Sequence, residues 1–214
     1  MKIRTIEQLS DILAEDLAWR KKELSEVKSL IELKDISEQK YKLFLRSGIC
    51  ILYAHWEGFV KLASNSYLEF VRMQKLSYDQ LASNFVALAM KEKLKETKDT
   101  NKPSLYIPIC DFFLFELNQK SNLPKEAIST ASNLSSEILK EIMSILGLNF
   151  ADYSTKSKLI DEKLLKSRNE IAHGSYLLID REEYLELHIE IINLLNIFKN
   201  QIENACLQEK YKRY

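Results

Sequence analysis

The chain has 214 residues, 46% of them hydrophobic, which is enough for one large core and too apolar for a disordered segment. Its 31 basic and 31 acidic residues cancel, so no global positive field attracts nucleic acid and any such contact must be local. With only four Gly and three Pro, and with Leu, Lys, Glu and Ile abundant, the composition predicts an all-α protein.

Cys50, Cys110 and Cys206 are odd in number and far apart, without metal-ligand spacing, which fits buried thiols in a reducing cytoplasm better than a disulfide framework. No apolar run approaches the roughly 18 residues of a spanning helix, and Met1 to Thr5 lacks the apolar core of a signal peptide. A soluble, cytoplasmic protein without membrane contact is expected.

Thr5 and Gln8 form a capping-box pattern ahead of Leu9, Ile12, Leu13, Leu17, Leu24, Val27 and Ile31, which recur at helical spacing. Arg20, Lys21 and Lys22 interrupt that stripe and read as a solvated face. A longer helix follows a polar break at 34–38. Its stripe of Tyr41, Leu45, Ile49, Leu52, Trp56, Phe59, Ala63, Tyr67 and Phe70 needs a partner along most of its length, which makes it the beam of a bundle. Gly48 and Gly58 lie inside it at about 1 kcal/mol each relative to Ala, a cost best tolerated where another helix crosses closely. Arg46 and His55 are also on this helix. His55 either makes a structural hydrogen bond, the favoured reading, or faces the site described below together with Arg46.

Ser77 with Gln80 is a second capping-box pattern, and the helix after it is expected to end near Thr97. Two prolines and Thr100, Asn101 and Lys102 then mark a loop. The apolar run Ile109 to Leu117 is too short for periodicity to separate helix from strand. Residues 91–130 read as an inserted loop and short-helix segment in a single domain of residues 1–214. Its lysines are a solvated loop by default, with a partner- or RNA-contacting arm as the alternative. Ser135 and its neighbours can cap a helix that Gly147 ends, and Asp180 with Glu183 can cap the last one. The basic, aromatic end at 208–214 is expected to fray.

The helix before Gly174 carries Arg168, Asn169, Glu170, Ile171, Ala172 and His173. Asn169 and His173 are one turn apart on one face, and Arg168 is long enough to reach over. A fixed, bidentate cation beside an imidazole that titrates near neutral pH can take the proton from a ribose 2′-OH and stabilise the charge that develops on phosphate. RNA alone carries that internal nucleophile. No second His, Cys or carboxylate stands at ligand spacing from His173, and Glu170 by itself is no metal site, so neither metal nor cofactor is expected. The alternative is structural: Arg168 paired with a carboxylate, Asn169 on a helix end, and His173 favoured by the helix dipole.

Residues 168–173 resemble the signature of HEPN domains (higher eukaryotes and prokaryotes nucleotide-binding): an Arg, four to six residues, then His, often with a polar residue directly after the Arg. With residues 53–61 (YAHWEGFVK) and 132–139 (SNLSSEIL), the pattern is similar to the MAE-type bacterial subfamily over about 43–204. The resemblance implies a helical bundle that forms a homodimer, with the two Arg-His motifs near each other. It also implies a metal-independent endoribonuclease with Arg168 and His173 catalytic and Asn169 supporting. Arg46, His55 and Glu170 are supporting candidates from helix position alone. Such proteins act on RNA in toxin–antitoxin or phage-defence systems, where an antitoxin or other partner protein is expected. Others of the family are non-catalytic nucleotide-binding or interaction modules.

Overall fold

The computed structural model describes residues 2–95, 102–125 and 127–213, with the side chains of 92–95 outside that description. Among the described residues there is no strand, only isolated bridges joining Ser77 to Lys120 and Leu81 to Lys212. No helix of the described residues is long and apolar enough to cross a membrane.

Helix α1 (Ile6–Ile31) starts where Thr5 Oγ1 accepts from the Gln8 amide, while the Gln8 side chain reaches back to the Arg4 amide at 2.8 Å. Helix α2 (Glu38–Met73), capped by Ser37, is about 54 Å long at 1.5 Å per residue. It packs against α1 and against α8 (Arg181–Leu207), which starts at Asp180, and α1 and α8 also pack on each other. From the predicted stripe of α2, Leu45, Ile49, Leu52, Trp56, Phe59, Ala63, Tyr67 and Phe70 are buried, while Tyr41 is half-buried at the edge. Each fully buried Leu or Phe contributes roughly 1.5–3 kcal/mol of transfer free energy, so this seam supplies much of the driving force.

The glycines of α2 mark two close approaches. A Cβ on Gly48 would lie 2.8 Å from the Tyr184 ring and 2.9 Å from Ile31 Cδ1, where α8 and α1 meet the beam. Gly48→Ala therefore gains about 1 kcal/mol of helix propensity but overpacks a three-helix junction at roughly 1–3 kcal/mol. A net loss of stability is expected, read as a lower urea midpoint. Gly58 instead makes room for a side chain, since its Cβ would meet Arg20 Nη1 at 2.8 Å. Arg20 is thus not part of a solvated face: it is 8% exposed, paired with Asp16 at 2.5 Å. Lys22 alone of that trio is exposed, because Lys21 reaches Asn196 at 2.6 Å.

The capping pattern at Ser77 and Gln80 closes a 3₁₀ turn, Tyr78–Gln80, rather than starting the next helix. Leu81 is extended, and α3 begins at Ser83 and runs to Lys95; Thr97 lies outside the described residues. After a 3₁₀ turn at Pro103–Tyr106, the ambiguous apolar run is helical: α4 (Ile107–Asp111) continues into a π turn, Phe112–Glu116. Phe112 is buried against Tyr78, whereas Phe113, Leu114 and Phe115 are exposed. Cys110 is exposed with them, so only Cys206 of the three free thiols is fully buried and Cys50 is partly so.

Ser135 Oγ caps α5 (Ser136–Leu146), and Gly147 ends it at φ +68°, with the Leu148 amide on the Met143 carbonyl. A short α6 (Ala151–Ser154) puts Tyr153 beneath Trp56. A π-helical segment, Leu159–Leu165, then runs directly into α7 (Lys166–Ala172). Residues 208–213 are tied down rather than frayed. Tyr211 is 4% exposed against Phe70, its carbonyl accepts from the Ala82 amide, and the Arg213 amide bonds to Gln80.

Candidate functional site

The three sequence segments that carry the resemblance meet at one side chain. The Arg168 guanidinium lies 4.4 Å over the Tyr53 ring. Its Nη1 donates to Asn169 Oδ1 at 2.6 Å and to Asn133 Oδ1 at 3.2 Å, and its Nη2 donates to the Ser132 carbonyl at 3.4 Å. The Tyr53 hydroxyl in turn accepts from the Leu134 amide at 2.7 Å. Every one of these acceptors on Arg168 is neutral, and among the described residues no carboxylate pairs with it. Its Nε–H donates to none of these acceptors, so the guanidinium keeps a donor with which to meet a phosphate.

Local backbone features place these groups. Residues 159–165 form a π turn, which shifts the register of the helix so that Ile160 and Leu164 are buried while Leu159, Leu165 and Ile171 only border the core. Asp161 of that turn accepts from both the Ser136 amide and hydroxyl, pinning the start of α5 to it. Ala131 and Ser132 are both left-handed, at φ +53° and +60°, each costing of order 1 kcal/mol outside glycine. That double turn aims the Ser132 carbonyl and the Asn133 amide at Arg168. Thr130 just before it is held by Glu57 at 2.5 Å.

His173 stands at the C-terminal cap of α7 with its side chain exposed, its amide bonded to the Asn169 carbonyl at 2.9 Å. Gly174 follows at φ +81°, donating to Ile171, while the Ser175 amide reaches the Glu170 carbonyl. This closes the helix and leaves the imidazole beyond its last turn. The Glu170 side chain takes no part in the Arg168 cluster.

Of the supporting candidates, Arg46 is near the site and His55 is not. Arg46, Cys50, Tyr53 and Glu57 share one face of α2 by their spacing, and Arg46 lies 5.7 Å from the centre of the exposed Tyr176 ring, just past His173. The charges of Arg168 and Arg46 both reach Cys50, partly offsetting the burial that raises its thiol pKa. Burial likewise pushes Tyr53 up to about 12, so it stays a neutral platform. His55 is on the opposite face, 4% exposed, with Nε2 2.6 Å from Glu23, Nδ1 3.3 Å from Arg20 Nη1, and its ring edge-on to Trp19. Tyr53, Ser132 and Asn133 lie in residues 53–61 and 132–139, yet their part in the site is not evident from those segments alone. The spacing of Arg46, Cys50, Tyr53 and Glu57 is the signal that points to Tyr53.

Burial lowers the pKa of His55, against the pull of Glu23, and also that of His188, where Lys28 adds to it. Both therefore stay neutral in the fold to lower pH than in the unfolded chain, which takes up protons near pH 6.5. The unfolded state binds more protons below that value, so stability falls as pH drops through about 6.5 and levels off below the native-state values. Urea midpoints at pH 7.5 and 5.5 are expected to show this, with a smaller difference in His188→Phe.

An all-α bundle, with no strand among the described residues, is consistent with the HEPN fold class. A family model described as HEPN_MAE_28990-like HEPN matches residues 9–211, and the chain belongs to this MAE-type HEPN family. The match takes in most of α1, beyond the stretch of about 43–204 over which the resemblance runs. HEPN domains are frequently RNases, often bind RNA and often dimerise. No curated protein and no solved structure matches the chain. Among the described residues, no three His, Cys, Asp or Glu gather into a possible metal site.

Proposed function

We infer that the protein is an endoribonuclease that cleaves phosphodiesters through the ribose 2′-OH. The observation that carries this reading is the guanidinium of Arg168, held on Tyr53 by neutral oxygens, with the exposed His173 capping the same helix. His173 takes the proton from O2′ as that oxygen bonds to phosphorus. Arg168 stabilises the charge on the phosphoryl oxygens, the bond from phosphorus to O5′ breaks, and O5′ leaves with a proton supplied by an acid. Asn169 and Asn133 keep the guanidinium aimed. A homodimer would bring a second imidazole as that acid, so that one His173 serves as base and the other as acid. The wider setting we propose, a toxin–antitoxin or phage-defence system with a neutralising partner, has the family resemblance as its sole support.

The test is incubation of the purified protein with tRNA and total RNA in EDTA. Fragments ending in 2′,3′-cyclic phosphate and beginning with 5′-OH are expected; 5′-phosphate ends, or cleavage that EDTA abolishes, would count against it. A second reading has one observation in its favour: the bonds from Arg168 to residues 132, 133 and 169 also knit three segments together, which a non-catalytic nucleotide-binding or interaction module would need as well. That module would bind RNA or nucleotide and leave it intact.

A further inference from the structure

A second cationic feature lies on the other side of the 128–133 segment. α2, Arg20 of α1, the chain entering α1, and residues 124–129 enclose a groove of about 990 Å³ lined by Lys2, Arg20, Lys61, Arg72 and Lys125, with Glu69 the one carboxylate in its wall among the described residues. Arg72 is matched by Glu69 at 2.8 Å and Arg20 by Asp16. Lys2, Lys61 and Lys125 are exposed and have no carboxylate partner among the described residues. In a chain whose charges balance overall, this is a local excess of the kind a polyanion needs.

We propose that this groove binds the sugar-phosphate backbone of single-stranded RNA and delivers the strand to Arg168. The proposal rests on the RNase reading and adds the path of the substrate. From Gly58 to Arg72 the α2 wall is about 21 Å long, room for a few nucleotides in one strand, and the volume is that of a single-ligand cleft, too small for a duplex. Among the described residues no aromatic side chain lines it, so it grips phosphates and leaves the bases unread. Its far wall leads to the reactive centre: Ser129 borders the groove, and three residues on, at most about 11 Å along the chain, the Ser132 carbonyl holds Arg168. An acidic peptide would satisfy the lysines but has no use for that continuation.

The experiment measures binding of a labelled 12-nucleotide single-stranded RNA by fluorescence anisotropy, in the full chain carrying His173→Ala so that the strand is not cut. Lys61→Glu/Lys125→Glu is expected to weaken binding at least tenfold at low salt and to make the log–log salt slope shallower by about 1.4, two lysine contacts' worth. The control Lys22→Glu/Lys140→Glu, on exposed sites outside the groove, stays within twofold of the parent. Equal affinity of the groove variant and its control overturns the proposal. So does displacement of the RNA by a polyglutamate peptide as effective as displacement by unlabelled RNA. Groove-dependent binding by a protein that cleaves nothing would sink the nuclease reading and keep this one; cleavage without groove-dependent binding would do the reverse.

Discussion

His173→Ala is expected to slow RNA cleavage by about 10²–10⁴-fold, the range that a positioned general acid or base supplies. The side chain is exposed, and what its residue gives the fold is a backbone amide on the Asn169 carbonyl, which Ala retains. The helical signal and urea midpoint should therefore match those of the wild type, separating a chemical loss from a folding one. A His173→Ala variant as fast as the wild type would remove the imidazole from the mechanism.

Arg168→Lys should cost about 10²–10³-fold in kcat although it keeps the charge. In the proposed mechanism the guanidinium serves two groups of acceptors at once: Asn169, Asn133 and Ser132, and the phosphate on the donors that remain. A lysine ammonium is a point charge that cannot bond to all of these and still present a donor to the phosphate, nor lie flat on Tyr53 in the same way. Since the lost interaction is made chiefly as charge develops, kcat should fall more than KM rises. Arg168→Lys with wild-type kcat would mean that charge alone suffices and that the Tyr53 and Asn133 contacts serve the fold.

Helical periodicity made most of the bundle legible. The stripe on α2 and the caps at Thr5, Ser135 and Asp180 are local features, and local hydrogen bonds decide them. The misread places depend on distant packing. Arg20 looks like a surface cation until Gly58, 38 positions away, turns out to leave space for it beside Asp16 and His55. The Ser77 and Gln80 pattern caps a 3₁₀ turn because Leu81 must extend to pair with Lys212. The end of the chain is held by Phe70 and Ala82, neither visible from its own composition.

The candidate site divides in the same way. Arg168, Asn169 and His173 are readable because they share one short helix. The platform beneath them is not: Tyr53 and Asn133 are 115 and 35 residues from Arg168 in sequence, and only the crossing of α2 with α7 and the left-handed pair at 131–132 brings them together. His55, adjacent to Trp56, suggests a site by its chemistry, yet its place on the helix turns it toward Glu23 and α1.

The measurement that bears most directly on the central claim uses one short RNA with a mapped cleavage position, prepared with ribose throughout or with a single 2′-O-methyl group at the nucleotide 5′ to the scissile phosphate. In EDTA the all-ribose strand should be cut at that position and the methylated strand should remain intact there, because its nucleophile is blocked while its charge and shape are nearly unchanged. Cutting of the methylated strand at the same bond would show that water or another group attacks the phosphorus, and would contradict the roles given to His173 and Arg168.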